Sequence, residues 1–227
     1  MKKNNYTYVW VSFVILIFGI IFIPRIIDRI KSGTTVEEAR IDKDELVYVV
    51  LNNEKRKVPE FSFLNQDSLL ITDKDYRGKV YLVEFFFTTC PSICPIMSKN
   101  LVQLQEEFKS FDNFGIASFS INPEHDTPFV LKEYAELYKI TNIDWNLLTG
   151  AKRDIYDLAN YGFNIYAAED GQAPGGFEHS GNVALIDKNG FIRSRRDDFG
   201  NPIVYYSAIE QEGIDMLKED IAKLLKE

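Results

Sequence analysis

At 227 residues the chain is long enough for one ordinary domain plus an extension, and its 45% hydrophobic share, with 17 Phe and 12 Tyr, fills a core without disulfide staples. The formal net charge of −8 argues against nucleic acid as the main partner, because a phosphate backbone calls for a basic surface.

Residues 1–27 read as a transmembrane anchor. The run VWVSFVILIFGIIFI, Val9 to Ile23, carries no charge, and Tyr6, Thr7 and Tyr8 extend it. With those residues it meets the lower limit of about 17 for a bilayer-crossing helix. Trp10 and the tyrosines sit where interfacial aromatics belong. A cleaved signal peptide is the alternative. No small-x-small site follows the run, however, and no cysteine there offers itself for lipidation; Pro24-Arg25-Ile26-Ile27-Asp28 comes instead. An uncleaved anchor is therefore favoured. Lys2 and Lys3 face Arg25, Arg29 and Lys31 across the span, so the positive-inside rule leaves orientation open.

Residues 28–45, DRIKSGTTVEEARIDKDE, are polar and read as a tether, leaving 46–227 as the folded domain. Short strands are expected at Leu46–Leu51 and in KVPEFSFLN. Val80–Phe87 is an apolar run typical of a buried strand. Leu101, Leu104 and Phe108 define a helical face within Met97–Phe108. Ile116–Ile121 is a second buried strand. Thr127 then reads as the N-cap, and Pro128 as the first residue, of a helix to about Tyr138. A strand at Trp145–Leu148, a helix at Asp154–Tyr161 and a glycine-rich loop at Ala167–Phe177 follow. DKNG joins Val183–Ile186 and Phe191–Arg195 as a hairpin, and Ile214–Leu225 is an amphipathic helix. This alternation predicts an α/β domain with a mainly parallel sheet covered on both faces. Ligands of such sheets sit beyond the carboxyl ends of the strands, where Cys90 falls.

The only two cysteines, Cys90 and Cys94, stand together in FFFTTCPSICPIM. As a structural crosslink they would close a loop of about five residues, worth about 2 kcal/mol against about 4.7 for a loop of 100. Redox exchange fits better: a helix start favours thiolates, and one helical turn sets both sulfurs on one side. Dedicated thiol oxidoreductases, though, usually place two residues between their cysteines, not three. A metal needs further donors, and the only histidines are His125 and His179. His179 follows the glycine-rich loop and precedes a strand, which brings it toward the cysteines. Two thiolates and one imidazole suit Cu(I) and can hold Cu(II), whereas a closed zinc site wants a fourth ligand. His125, beside the N-cap, reads as an ordinary loop residue and is the next candidate if His179 is not a ligand. Redox exchange and metal binding both remain open at this level.

The segments TTCPSICP, SINPEHDTP and EHSGNVALIDKNG resemble the three signature blocks of the SCO/SenC proteins, and the resemblance runs roughly from Pro59 to Leu225. Those proteins are membrane-anchored, thioredoxin-fold copper chaperones of cytochrome c oxidase assembly. The resemblance implies a thioredoxin-like domain, a central mixed sheet flanked by helices. It implies that Cys90, Cys94 and His179 bind copper as Cu(I) or Cu(II), and that Cys90 and Cys94 form a redox-active disulfide. It implies a domain on the extracytoplasmic side of the cell membrane. The partners implied are the copper-bearing oxidase subunit, a copper donor or thiol reductant, and membrane lipid around the N-terminal helix.

Thioredoxin-like enzymes carry a cis-proline near the place of Asn182, but no proline lies between Pro174 and Pro202. That absence disfavours an ordinary thiol-disulfide oxidoreductase, which, with a redox or copper sensor, stands as the alternative to a metallochaperone. Asn122 stands where the family usually has aspartate, which removes an oxygen ligand or a charge near the metal. His125 stands at an arginine-like position. Glu84, inside VYLVEFFF, precedes Cys90 by the spacing of the buried thioredoxin aspartate. It reads either as a group that tunes the thiols or as a carboxylate paired with lysine at a strand edge.

The anchor is testable by fractionation. The full-length protein is expected to sediment with membranes and resist carbonate extraction, while a chain beginning near Glu45 is soluble and folded. Mature protein released after a cut near Ile23 would replace the anchor with a signal peptide.

Overall fold

The computed structural model describes residues 6–31 and 45–227. The chain divides into an N-terminal unit and a domain that starts at Lys43. In the first unit, helix α1 (Thr7–Lys31) contains the apolar stretch Tyr8–Ile27 of 20 residues. At 1.5 Å per residue that stretch is about 30 Å long, the thickness of a bilayer core. Pro24 lies inside the helix, within its apolar stretch. The expected tether begins inside the helix, at 28–31, and its remainder up to 44 lies outside the described residues.

The domain opens with short strands: β1 (Val47–Tyr48), β2 (Val50–Leu51), β3 (Glu54–Lys55), β4 (Ser62–Leu64) and β5 (Leu70–Thr72). Then come β6 (Val80–Phe86), α2 (Cys94–Glu107), β7 (Phe114–Ser120), α3 (Pro128–Tyr138) and β8 (Trp145–Leu148). α4 (Lys152–Asp157) widens into a π turn at Leu158–Phe163. The chain ends with β9 (Ala167–Glu169), β10 (Phe177–His179), β11 (Asn182–Ile186), β12 (Ile192–Ser194), β13 (Tyr206–Ser207) and α5 (Gln211–Lys226).

The main sheet runs β1-β12-β11-β6-β7-β8, with β13 added beside β11. β6, β7 and β8 are parallel; β11 is antiparallel to β6, and β12 and β1 continue the alternation. The sheet is therefore mixed. The expectation of a mainly parallel sheet holds only for its β6–β8 part, because the terminal hairpin folds onto β6 and makes the other half antiparallel. β6 and β7 are buried at every residue, as strands covered on both faces must be.

Alternation along β6 sends Tyr81 and Phe85 to one face and Glu84 and Phe86 to the other. The first face meets an aromatic cluster: Tyr76 stacks on Tyr81 at 4.5 Å, and Phe85 contacts Phe119 at 5.4 Å and Phe163 at 5.9 Å. The second face is covered by α3, whose Tyr134 packs on Phe86 at 5.4 Å, and by α2, whose Ser98 hydroxyl bonds that of Tyr134 at 2.8 Å. α3 begins as its sequence predicts: Thr127 caps it by accepting from the Val130 N–H, and Pro128 is its first residue.

Two elements differ from expectation. The glycine-rich segment 167–177 is not a free loop, because its ends pair as an antiparallel ribbon, β9 with β10. The glycines serve the turn between them: Gly175 and Gly176 have φ of 82° and 87°. α2 also starts earlier than predicted, at Cys94, so the irregular segment between β6 and α2 holds Cys90 alone.

α5 packs closely enough on β13 that a Cβ at Gly213 would overlap the Ser207 carbonyl oxygen. On helix propensity alone, Gly213→Ala would stabilise by about 1 kcal/mol. Backbone overlap reverses the sign. The substitution is expected to cost about 2 kcal/mol and to lower Tm by roughly 4–8 °C in thermal unfolding.

Candidate metal centre

β6 ends at Phe86, and the chain turns through Phe87, with the Cys90 N–H donating to the Phe87 carbonyl at 3.2 Å. That turn sets Cys90 against Cys94 at the head of α2, and both thiols are free and buried. Ribbon strand β10 delivers His179 from the other side. Its Nε2 lies 3.6 Å from Cys90 Sγ and 3.4 Å from Cys94 Sγ. The three donor atoms all lie within 4.8 Å of one another, a separation one metal ion can span.

Packing holds this convergence. The Phe87 ring contacts His179 edge-on at 5.3 Å and Phe177 at 5.0 Å. A Cβ at Gly175 would lie 2.8 Å from the Phe87 ring and 3.1 Å from Pro91 Cδ. Glycine is thus required there twice over, for its positive φ and for the close approach of ribbon to cysteine turn. His179 Nδ1 is buried without a hydrogen-bond partner, so ring packing, not a second hydrogen bond, orients the imidazole.

The two thiols are unequal. Cys90 is held well below the usual thiol range, first by the hydrogen bond from Cys94, with backbone N–H groups and His179 adding to it. Cys94 is pushed up, first by burial and then by its bond to Cys90. Cys90 is thus the more acidic of the two sulfurs, and an imidazole nitrogen faces both. Two sulfurs and one nitrogen form a soft set that favours Cu(I).

The remaining predicted residues divide. Glu84 is not at a strand edge and has no lysine partner among the described residues. It is buried on the central strand opposite Ser118, whose hydroxyl donates to Oε1 at 2.6 Å, while Oε2 has no partner. The Ser118 oxygen in turn accepts from Trp145 Nε1 at 3.0 Å. Burial pushes the Glu84 carboxyl up to about 7, against the hydrogen bond from Ser118, and its charge is among the influences that raise Cys94. Asn122 stands in the turn after β7, where its carbonyl accepts from the His125 and Asp126 N–H groups. His125 stands apart from the Cys–His cluster, with Nδ1 2.9 Å from Asp126 Oδ1.

Sequence reasoning missed Phe87, Gly175 and Asp126. Gly175 was signalled by its place in GQAPGG; Asp126 was masked by the cap motif that follows it.

A mixed sheet flanked by helices, with paired cysteines in the turn after its central strand and a histidine brought over them, defines a thioredoxin-like domain with a metal-competent thiol site. Residues 50–212 match the SCO1/SenC family model, and the chain belongs to that family. It is 38% identical over 167 residues to the SCO1 protein homolog of Bacillus subtilis, covering 73% of this chain and 81% of that protein. The solved structure of BsSco, described as a member of the Sco family of cytochrome c oxidase assembly proteins with a disulfide switch, is also similar. It matches at 27% identity and a TM-score of 0.64 over 79% of this chain and 98% of that one. Arabidopsis thaliana ScoI, solved with copper bound, shares the fold at 22% identity and a TM-score of 0.58, covering 74% and 98% of the two chains.

Glu84 generates a pH signature. Its side chain ionises near 4.5 when unfolded and near 7 in the fold, so the folded protein holds the extra proton between those values. Stability is therefore expected to fall by about 3 kcal/mol as pH rises from about 4.5 to 7. Denaturant unfolding across that range checks it, and Glu84→Gln is expected to flatten this part of the profile.

Proposed function

We propose that this protein is a membrane-tethered metallochaperone. It binds one copper ion through Cys90, Cys94 and His179. It delivers the copper to, or keeps reduced the thiols of, the binuclear copper site of a cytochrome c oxidase. The observation that carries this reading is the convergence of two free sulfurs and one imidazole nitrogen within 4.8 Å. Family membership and the copper-bound relative support it. Helix α1 is long and apolar enough to hold the domain at a membrane, and a disulfide-permissive compartment outside the cytoplasm suits a thiol pair that switches state.

Loading requires thiolate ligands, so Cu(I) entering the reduced pair displaces the protons that the thiols carry. A disulfide withholds both sulfurs, and the redox state of the pair gates copper uptake. Copper is the cargo here, and the chain's own groups supply the donors and their spacing.

The inequality of the two thiols favours one other reading, a thiol-disulfide oxidoreductase in which Cys90 is the attacking sulfur. His179 separates the two, since thiol exchange does not need its nitrogen.

The test uses reduced full-length protein in detergent, titrated with Cu(I) against a chromophoric chelator. One equivalent is expected to be retained, and none by the oxidised protein. Cys90→Ser or Cys94→Ser is expected to abolish tight binding. His179→Ala is expected to weaken Cu(II) more than Cu(I), since two thiolates still hold Cu(I) linearly. Rapid catalytic disulfide reduction with no copper retained would establish the oxidoreductase instead. An unchanged Cu(II) absorption spectrum in His179→Ala would remove His179 as a ligand.

A further inference from the structure

Asp126 is fully buried in the turn between β7 and α3, and its carboxylate is saturated by donors from three residues. Oδ2 accepts from the Thr88 N–H at 3.0 Å and the Ser120 hydroxyl at 2.6 Å. Oδ1 accepts from the Thr88 hydroxyl and lies 2.9 Å from His125 Nδ1. Burying a carboxylate is costly unless its oxygens are satisfied, and no lysine or arginine does so here. Two of the four donors belong to one residue, Thr88. Thr88 lies two residues before Cys90, in the irregular segment where no sheet or helix ladder fixes the backbone. Ser120, the third donor, is the last residue of the neighbouring strand.

We infer that Asp126 is a positioning residue: it clamps the start of the cysteine turn to the end of β7 and so sets where Cys90 stands relative to Cys94 and His179. Gly175 bounds the same turn from the ribbon, against Phe87 and Pro91, and Asp126 holds it at Thr88 from the segment between β7 and α3. The metal readout of this clamp rests on the copper reading above; its backbone readout does not.

Asp126→Asn keeps the shape but turns one acceptor atom into a donor that faces two donors. Thr88→Val removes only the hydroxyl bond. Full-length protein in detergent, reduced and metal-free, is assayed for amide hydrogen exchange at Cys90 and for Cu(I) affinity by chelator competition. Asp126→Asn is expected to accelerate exchange at Cys90 about tenfold and to weaken Cu(I) binding about tenfold, the lower end for residues that orient metal ligands. Thr88→Val is expected to do the same to a smaller degree, and the double variant to be no worse than Asp126→Asn alone. Folded variants with wild-type exchange and wild-type affinity overturn the inference, even if their Tm is lowered, because Asp126 then serves stability alone. If Asp126→Asn does not fold, Thr88→Val decides by the same two measurements. If the wild type retains no Cu(I), the copper reading fails, and exchange at Cys90 still decides the clamp.

Discussion

The thiol site depends on one contact: the ring of Phe87 pressed between the cysteine turn and the β9–β10 ribbon. Phe87 is the first residue past β6, and its carbonyl receives the Cys90 N–H while its ring receives His179 and Phe177. Gly175 lets the ribbon come this close. The metal-competent arrangement is thus a packing result first and a donor arrangement second. The sulfurs and the nitrogen face each other because an aromatic ring fixes the distance between the two segments that carry them.

A hydrogen-bonded polar seam crosses the parallel part of the sheet. Trp145, Ser118 and Glu84 run across β8, β7 and β6 as a hydrogen-bonded line that ends in an unpartnered carboxylate oxygen. A buried group of this kind lowers stability once it ionises, and a phenylalanine or leucine in its place would pack without that cost. Its retention under the more deeply buried thiol is intelligible as electrostatics. A carboxyl that changes charge near neutrality alters the field at Cys94, whereas an apolar side chain would leave it constant.

Much of the fold was legible from local pattern. The apolar runs of β6, β7 and β8, the Thr127-Pro128 helix start and the DKNG hairpin are short-range signals, and they fall where the sequence puts them. The three residues of the Cys–His cluster were legible because cysteine and histidine are scarce in this chain, so few pairings were available. What the sequence hid was of two kinds. The β9–β10 pairing joins three-residue strands through a glycine-rich turn, too short to show a period. The supports of the site are long-range contacts among common residues: Phe87 against Gly175 is a relation across 88 positions, and nothing local marks a phenylalanine in an apolar run as a spacer. Glu84 was visible as an anomaly, but its partner Ser118 became identifiable only with strand register.

The ribbon that carries His179 shares no hydrogen-bonded ladder with the main sheet. The two sulfurs belong to the body of the domain, and the nitrogen belongs to an appendage 85 residues away in sequence from the nearer cysteine. The donor set is therefore assembled by docking: the turn after β6 places the sulfurs, and the seating of the ribbon on Phe87 places the nitrogen. A substitution at that seat would separate the nitrogen from the sulfurs without altering any of the three donor residues.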